Sequence, residues 1–185
     1  MSSTYAPLGL RPAYSLSGVL RPFGPTPAIE SAYAVNVYNG YPIAVNANGF
    51  MVAAAAGARW LGAFSGVEYK DALNKPTYYN RWLANTIATE VQSYATLDPY
   101  MVYQIQANAT LSVAAIGQQY DWEALSGNSV TGLATFGLNV ASAAANAGMR
   151  VIGLAPGPDN NWGDLFPVVL VMASEHQYVA DIASV

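Results

Sequence analysis

His176 is the only imidazole in this chain of 185 residues, cysteine is absent, and eleven carboxylates stand against seven basic side chains. A Ser-His-Asp arrangement would have to use His176 as its base. That histidine lies in Glu175-His176-Gln177-Tyr178, and no Gly-x-Ser-x-Gly nucleophile elbow occurs anywhere in the chain. A plain surface or interface histidine is the expected reading. Paired carboxylates offer a second chemistry, glycoside hydrolysis. Asp121 and Glu123 flank Trp122 beside Tyr120, acids next to sugar-stacking rings. On a strand they share a face, an arrangement that more often solvates a strand edge than catalyses.

Metal and phosphate chemistry finds less support. Asp159-Asn160-Asn161-Trp162-Gly163-Asp164 supplies oxygen ligands without the spacing or closing Glu of a calcium loop, so it reads as a turn cluster. The lack of cysteine removes disulfides, thiol catalysis and cysteine-built zinc sites. No Gly-x-x-x-x-Gly-Lys loop is present, and Asn108-Ala-Thr110 is a sequon without a secretion signal to give it meaning. The chain is expected to be no enzyme, with no catalytic, cofactor-binding or metal-binding residues.

Charged residues make up 10% of the chain against roughly 25% in an average soluble domain. A folded chain of this mass exposes on the order of 8,500 Å², which leaves one charge per roughly 470 Å². Such a neutral surface invites permanent neighbours. A net charge of −4 gives no basic footprint for phosphate contacts, so direct binding to nucleic acid is not expected. Residues 31–58 and 124–149 carry no charge and exceed the length of a spanning helix. Their Asn, Gly and Ser content argues against insertion, and the N-terminus lacks the order of a signal peptide, so neither membrane nor export is expected.

The elements that must position these residues are strands. Residues 1–30 form an extended arm in which five prolines and three glycines between Ala6 and Pro27 exclude a long helix. Its apolar side chains, among them Tyr5, Leu8, Leu10, Tyr14 and Phe23, should lie against the chain's own body or a neighbouring subunit. The body, 31–185, reads as one all-β domain. Asn39-Gly40 and Asn48-Gly49 signal tight hairpins on either side of Pro42–Asn46. Strands are expected over Phe50–Ala55, Trp60–Tyr69, Thr77–Trp82, Thr89–Thr96, Tyr100–Ala107, Thr135–Val140, Arg150–Leu154 and Leu165–Ala173. Leu111–Ile116 reads as a short helical turn or a loop, Ser126–Ser129 as a turn, Pro156–Gly163 as a long irregular loop, and any helix in Ala141–Ala147 as short. The sum is a compact β-barrel or sandwich, jelly-roll-like, with an extended N-terminal arm.

Several segments together resemble a family of tailed-bacteriophage virion proteins, the capsid decoration or cement proteins of marine and freshwater phages. They are Ala6-Pro-Leu-Gly-Leu-Arg-Pro12, Leu61-Gly-Ala-Phe-Ser-Gly-Val-Glu-Tyr69, Tyr78-Tyr-Asn-Arg-Trp82, Asp98-Pro-Tyr-Met-Val-Tyr-Gln-Ile-Gln106, Ile116-Gly-Gln-Gln-Tyr-Asp121 and Arg150-Val-Ile-Gly-Leu-Ala-Pro-Gly-Pro-Asp-Asn160. The resemblance implies a structural virion protein, made in the host cytoplasm, that binds the capsid exterior and bridges subunits of the major capsid protein. It implies no cofactor. Self-association is expected as a homotrimer ahead of a dimer. The arm, through Tyr5, Leu8, Leu10, Pro12, Tyr14 and Phe23, would hold the partner, and removing residues 1–25 should leave a folded body.

Two rivals follow from the residues. One is a tail or fibre component that binds host glycans through Trp122, Trp162 and loop tyrosines. The other is a carbohydrate-active enzyme built on Asp121 and Glu123. The charges are expected on outward-facing loops around Lys70–Lys75 and Asp159–Asp164, with 31–58 and 124–149 supplying core and subunit contacts.

Overall fold

A computed structural model describes residues 4–16, 18 and 28–179. Phe23, expected in the arm, lies outside the described residues.

Two antiparallel sheets carry the architecture. The six-stranded sheet runs in the order β1 (Arg11–Ser15), β9 (Met101–Gln106), β15 (Val168–Ala173), β14 (Met149–Leu154), β10 (Gln119–Trp122) and β13 (Leu138–Ala144). The five-stranded sheet runs β4 (Met51–Ala53), β3 (Pro42–Val45), β5 (Gly62–Lys70) and β6 (Pro76–Tyr79), and β8 (Thr89–Ala95) also pairs with β5. Two short ribbons complete it, β2 (Val37–Tyr38) with β7 (Arg81–Trp82), and β11 (Gly127–Asn128) with β12 (Leu133–Ala134). The sheets do not close on themselves, so the fold is an all-β sandwich and not a barrel. Among the described residues no helix is long and apolar enough to cross a membrane.

Aromatic residues fill the space between the sheets. Trp60 packs edge-on against Trp122 and tilted against Tyr103, with ring centroids 5.8 and 5.6 Å apart. Its indole N–H donates to the carbonyl of Gly148 at 2.7 Å, which satisfies the one polar atom its burial would otherwise strand. The Tyr103 hydroxyl meets Thr96 Oγ1 at 2.8 Å, and Thr96 Oγ1 accepts from the Ala63 amide at 3.0 Å. One buried hydroxyl pair thus ties β9 to β5.

The alternation expected in β9 places Met101, Tyr103 and Ile105 inward. Val102 is buried as well, because it is flanked by Tyr14 and Met172 in the neighbouring strands. In β15, Val169, Val171 and Ala173 point inward while Val168, Leu170 and Met172 are half-buried on the other face. The Asn48-Gly49 hairpin joins β3 to β4 as expected.

Three expectations are corrected. Asn39-Gly40 makes a turn, with the Tyr41 amide donating to the Tyr38 carbonyl, but its flanking strands pair elsewhere. Thr77–Trp82 is interrupted at Asn80, so that Tyr79 pairs with Val67 while Arg81 pairs with Tyr38. Alanines 141, 143 and 144 continue strand β13, because pairing with β10 overrides alanine's helix preference. The N-terminal residues take one of the two expected alternatives and lie against the chain's own body. Leu10 is buried in the core, the Gly9 amide donates to Phe136, and β1 forms an edge of the six-stranded sheet, so 4–15 belong to the body of the fold.

Candidate functional site

The two acids proposed for glycoside chemistry are held by different parts of the backbone. Asp121 Oδ1 accepts from the amides of Gly57 at 3.1 Å and Gly148 at 2.9 Å. Glu123 Oε2 accepts from the Tyr5 hydroxyl and from the Gly137 amide at 3.0 Å, and Oε1 accepts from Asn108 Nδ2 at 3.0 Å. Asn108 Oδ1 in turn accepts from the Val140 amide. Partial burial opposes the charge on Glu123, but the three hydrogen bonds outweigh it and hold its carboxyl below the usual range. Burial and the same carboxylate push the Tyr5 phenol up. These acids act as clamps, drawing the N-terminal segment, the loop at Gly57 and the β13–β14 connection onto β10.

His176 is not at the surface. It is 1% exposed, and its Nε2 lies 2.7 Å from the Leu61 carbonyl while Nδ1 accepts from the Tyr178 amide at 3.2 Å. A carbonyl can only accept, so this is the neutral tautomer with its proton on Nε2. Desolvation lowers its pKa, against the smaller opposing effects of the Leu61 and Leu97 carbonyls and of Asp98. Trp60 and His176 bridge in parallel, with backbone bonds from Trp60 to Glu175 and from Gln177 to Trp60. The histidine therefore fastens the chain's last described turn to the core.

The glycan-stacking residues fare differently from one another. Trp122 is 2% exposed and lies in the core, so it offers no stacking surface. Trp162 is half-buried against that core. Asp164 is also buried, its Oδ2 accepting from the Asn161 amide at 2.9 Å, whereas Asp159 is exposed as expected. At the other loop Lys75 is exposed, while half-buried Lys70 pairs with Glu90 at 2.6 Å.

Of the arm residues, Leu10 is core, Tyr5 is pinned to Glu123, and Leu8, Pro12 and Tyr14 are exposed. Two adjoining clefts of about 150 and 390 Å³ lie beside this segment, and Arg11, Gln104 and Val168 line both.

One region went unrecognised residue by residue in the sequence. The two charge-free stretches meet at one end of the molecule. Asn39 bridges Leu133, the Asn39 amide donates to Gly132, and the Ala134 amide donates to Asn39. Gly127 lies so close to Tyr38 that a Cβ there would sit 2.1 Å from the ring. The β2–β7 ribbon joins this end. Asn80 Nδ2 donates to the Thr131 carbonyl, and Arg81 Nη1 donates to the Val130 carbonyl while its guanidinium lies over the Tyr79 ring. Val130 is 82% exposed, and Val35, Tyr79, Leu83 and Leu133 are exposed around it. Across 35–41, 79–84 and 125–136 the one charged residue is Arg81. A cleft of about 330 Å³ between Val35, Tyr38, Tyr41 and Gly127 opens here. Burial, and secondarily Tyr38, pushes the Tyr41 phenol up to about 12. The signal for this end was the length of the two uncharged runs; what it lacked was the fact that they adjoin.

In comparisons with models of protein families, with curated proteins and with solved structures, the chain matches none.

Proposed function

We propose that this protein is a structural component of a phage virion that docks on the capsid exterior and stabilises it by bridging major capsid protein subunits, without catalysing a reaction. The observation that carries this reading is the uncharged end, where exposed Val35, Tyr79, Leu83, Val130 and Leu133 surround a single, already engaged cation. An uncharged surface that exposes apolar side chains loses water on contact with a neutral protein partner. The segments that resemble cement proteins suggest what the partner is. Copies assemble as a closed homotrimer, so that several docking ends engage one shell and add avidity.

Capsid shells lacking the protein are mixed with it and sedimented. Wild-type protein co-sediments and raises the temperature at which shells rupture, while a Val130→Asp, Leu133→Asp double variant stays in the supernatant. Failure of the wild type to bind shells rejects the function. Equal binding by the folded double variant rejects the docking end and leaves the function standing.

A further inference from the structure

We propose that Asn48 is a site of spontaneous deamidation directed by the fold, and that the chain's other Asn-Gly pair, Asn39-Gly40, is shielded from the same reaction. The chemistry needs a backbone nitrogen able to reach an asparagine side chain. The Gly49 nitrogen attacks Cγ of Asn48, the bond from Cγ to the amide nitrogen breaks, ammonia leaves, and a five-membered succinimide forms. Water then opens either imide carbonyl, giving aspartate or isoaspartate. Glycine favours the attack because no Cβ obstructs it.

At the β3–β4 hairpin these conditions are met. Asn48 and Gly49 are exposed, Gly49 has φ +82°, and nothing lies within 4 Å of where its Cβ would be. The Asn48 side-chain amide makes no hydrogen bond to another described residue. The Gly49 nitrogen is held by one turn bond, to the Asn46 carbonyl at 3.0 Å. Exposed hairpin tips open at low free energy, so this nitrogen is repeatedly released.

At Asn39-Gly40 the same dipeptide is locked. Asn39 Nδ2 donates to the Ser65 carbonyl at 2.8 Å. The Gly40 amide donates to Phe64 at 2.9 Å, its carbonyl accepts from Leu10 at 3.0 Å, and Asn39 exchanges backbone bonds with Gly132 and Ala134. Gly40 is buried, and a Cβ on it would meet the Leu8 carbonyl oxygen at 3.1 Å. Freeing its nitrogen means separating the N-terminal segment, β5 and the β11–β12 hairpin together. The reaction at Asn48 is therefore faster by roughly tenfold or more in the folded chain.

Its product places a negative charge in 31–58, which carries none, and takes the net charge from −4 to −5. Isoaspartate also adds a methylene to the hairpin backbone. The β3–β4 tip thus records the age of the folded protein.

The full chain and an Asn48→Gln variant are incubated in mildly alkaline buffer, with and without urea, and mapped by mass spectrometry with enzymatic methylation of isoaspartate. In the folded wild type the Asn48 peptide converts, isoaspartate exceeding aspartate, while the Asn39 peptide stays intact; in urea both convert at similar rates. The variant loses only the Asn48 signal. An Asn48 that stays amidated in the folded chain over the interval that converts it in urea overturns the proposal. So does an Asn39 that converts as fast as Asn48 before unfolding.

Discussion

The Tyr5 hydroxyl donates to Oε2 of Glu123 across 118 positions of the chain, so a residue of the N-terminal segment is fixed by an acid just past β10. Because the folded Glu123 carboxyl titrates below its ordinary value, the stability it contributes is complete above about pH 4.5 and is lost as the pH falls from there through the folded value. Glu123→Gln should flatten that acid limb and cost about 1–2 kcal/mol near neutrality, discounted for partial exposure. Urea denaturation at a series of pH values measures both. An acid limb identical in the variant would show that Glu123 is not its source.

His176 gives a second, separable pH dependence. Its folded pKa is lowered, so its contribution is whole above about 6.5 and declines as the pH falls below that, when protonating Nδ1 breaks the bond from the Tyr178 amide. His176→Asn should remove the slope between the histidine and carboxylate ranges. Buried polar truncation there, as His176→Ala, should cost about 1–3 kcal/mol. Midpoints of thermal unfolding from neutral to mildly acidic pH test it.

Leu10 is 1% exposed, and its amide donates to the Gly40 carbonyl at 3.0 Å. Leu10→Ala should lower the melting temperature by roughly 5–20 °C, the range a core cavity produces in a chain of this length. Removal of residues 1–25 should then destabilise the body, contrary to the expectation from an arm read as separable. Circular dichroism melts of both proteins decide the matter.

The exposed docking end should behave in the opposite way. Val130→Lys should leave the melting temperature within about 2 °C, since an 82% exposed side chain contributes little to the core. The same change should weaken shell binding by about tenfold or more if Val130 sits centrally in the contact. Melting and co-sedimentation measured on one preparation separate the two effects.

Glycines offer a contrast that needs no partner. A Cβ on Gly62 would lie 1.5 Å from the Thr96 carbonyl oxygen, an inter-strand backbone atom with little freedom to yield, whereas one on Gly153 would meet nothing within 4 Å. Gly62→Ala should cost about 3 kcal/mol or prevent folding, and Gly153→Ala should stay within about 0.5 kcal/mol of wild type. Chemical denaturation of the two single variants makes the comparison.

What the sequence made legible was local. Alternation in Met101–Gln106 revealed a strand, because each inward residue meets a facing sheet at period two, and the apolar run through Val168–Ala173 revealed another. What escaped was set by distant residues. Asn80 ends β6 because Tyr79 and Arg81 pair with different strands, a fact about Val67 and Tyr38. Ala141–Ala144 stays extended because β10 lies alongside, and His176 is buried because Leu61 and Trp60 receive it. The clamp on Glu123 was hidden for the same reason, since neither Tyr5 nor Asn108 lies near it in sequence.

The position of β15 has a consequence for how the chain is born. Among the described residues the last strand in sequence lies third in the six-stranded sheet, between β9 and β14, and β1 joins that sheet through β9. The chain through Ala173 must leave the ribosome before this interior strand can be inserted. The six-stranded sheet is therefore completed late and slowly, as non-local β pairing dictates, and the early strands wait with open edges. A nascent chain arrested before Val168 should remain protease-sensitive from end to end.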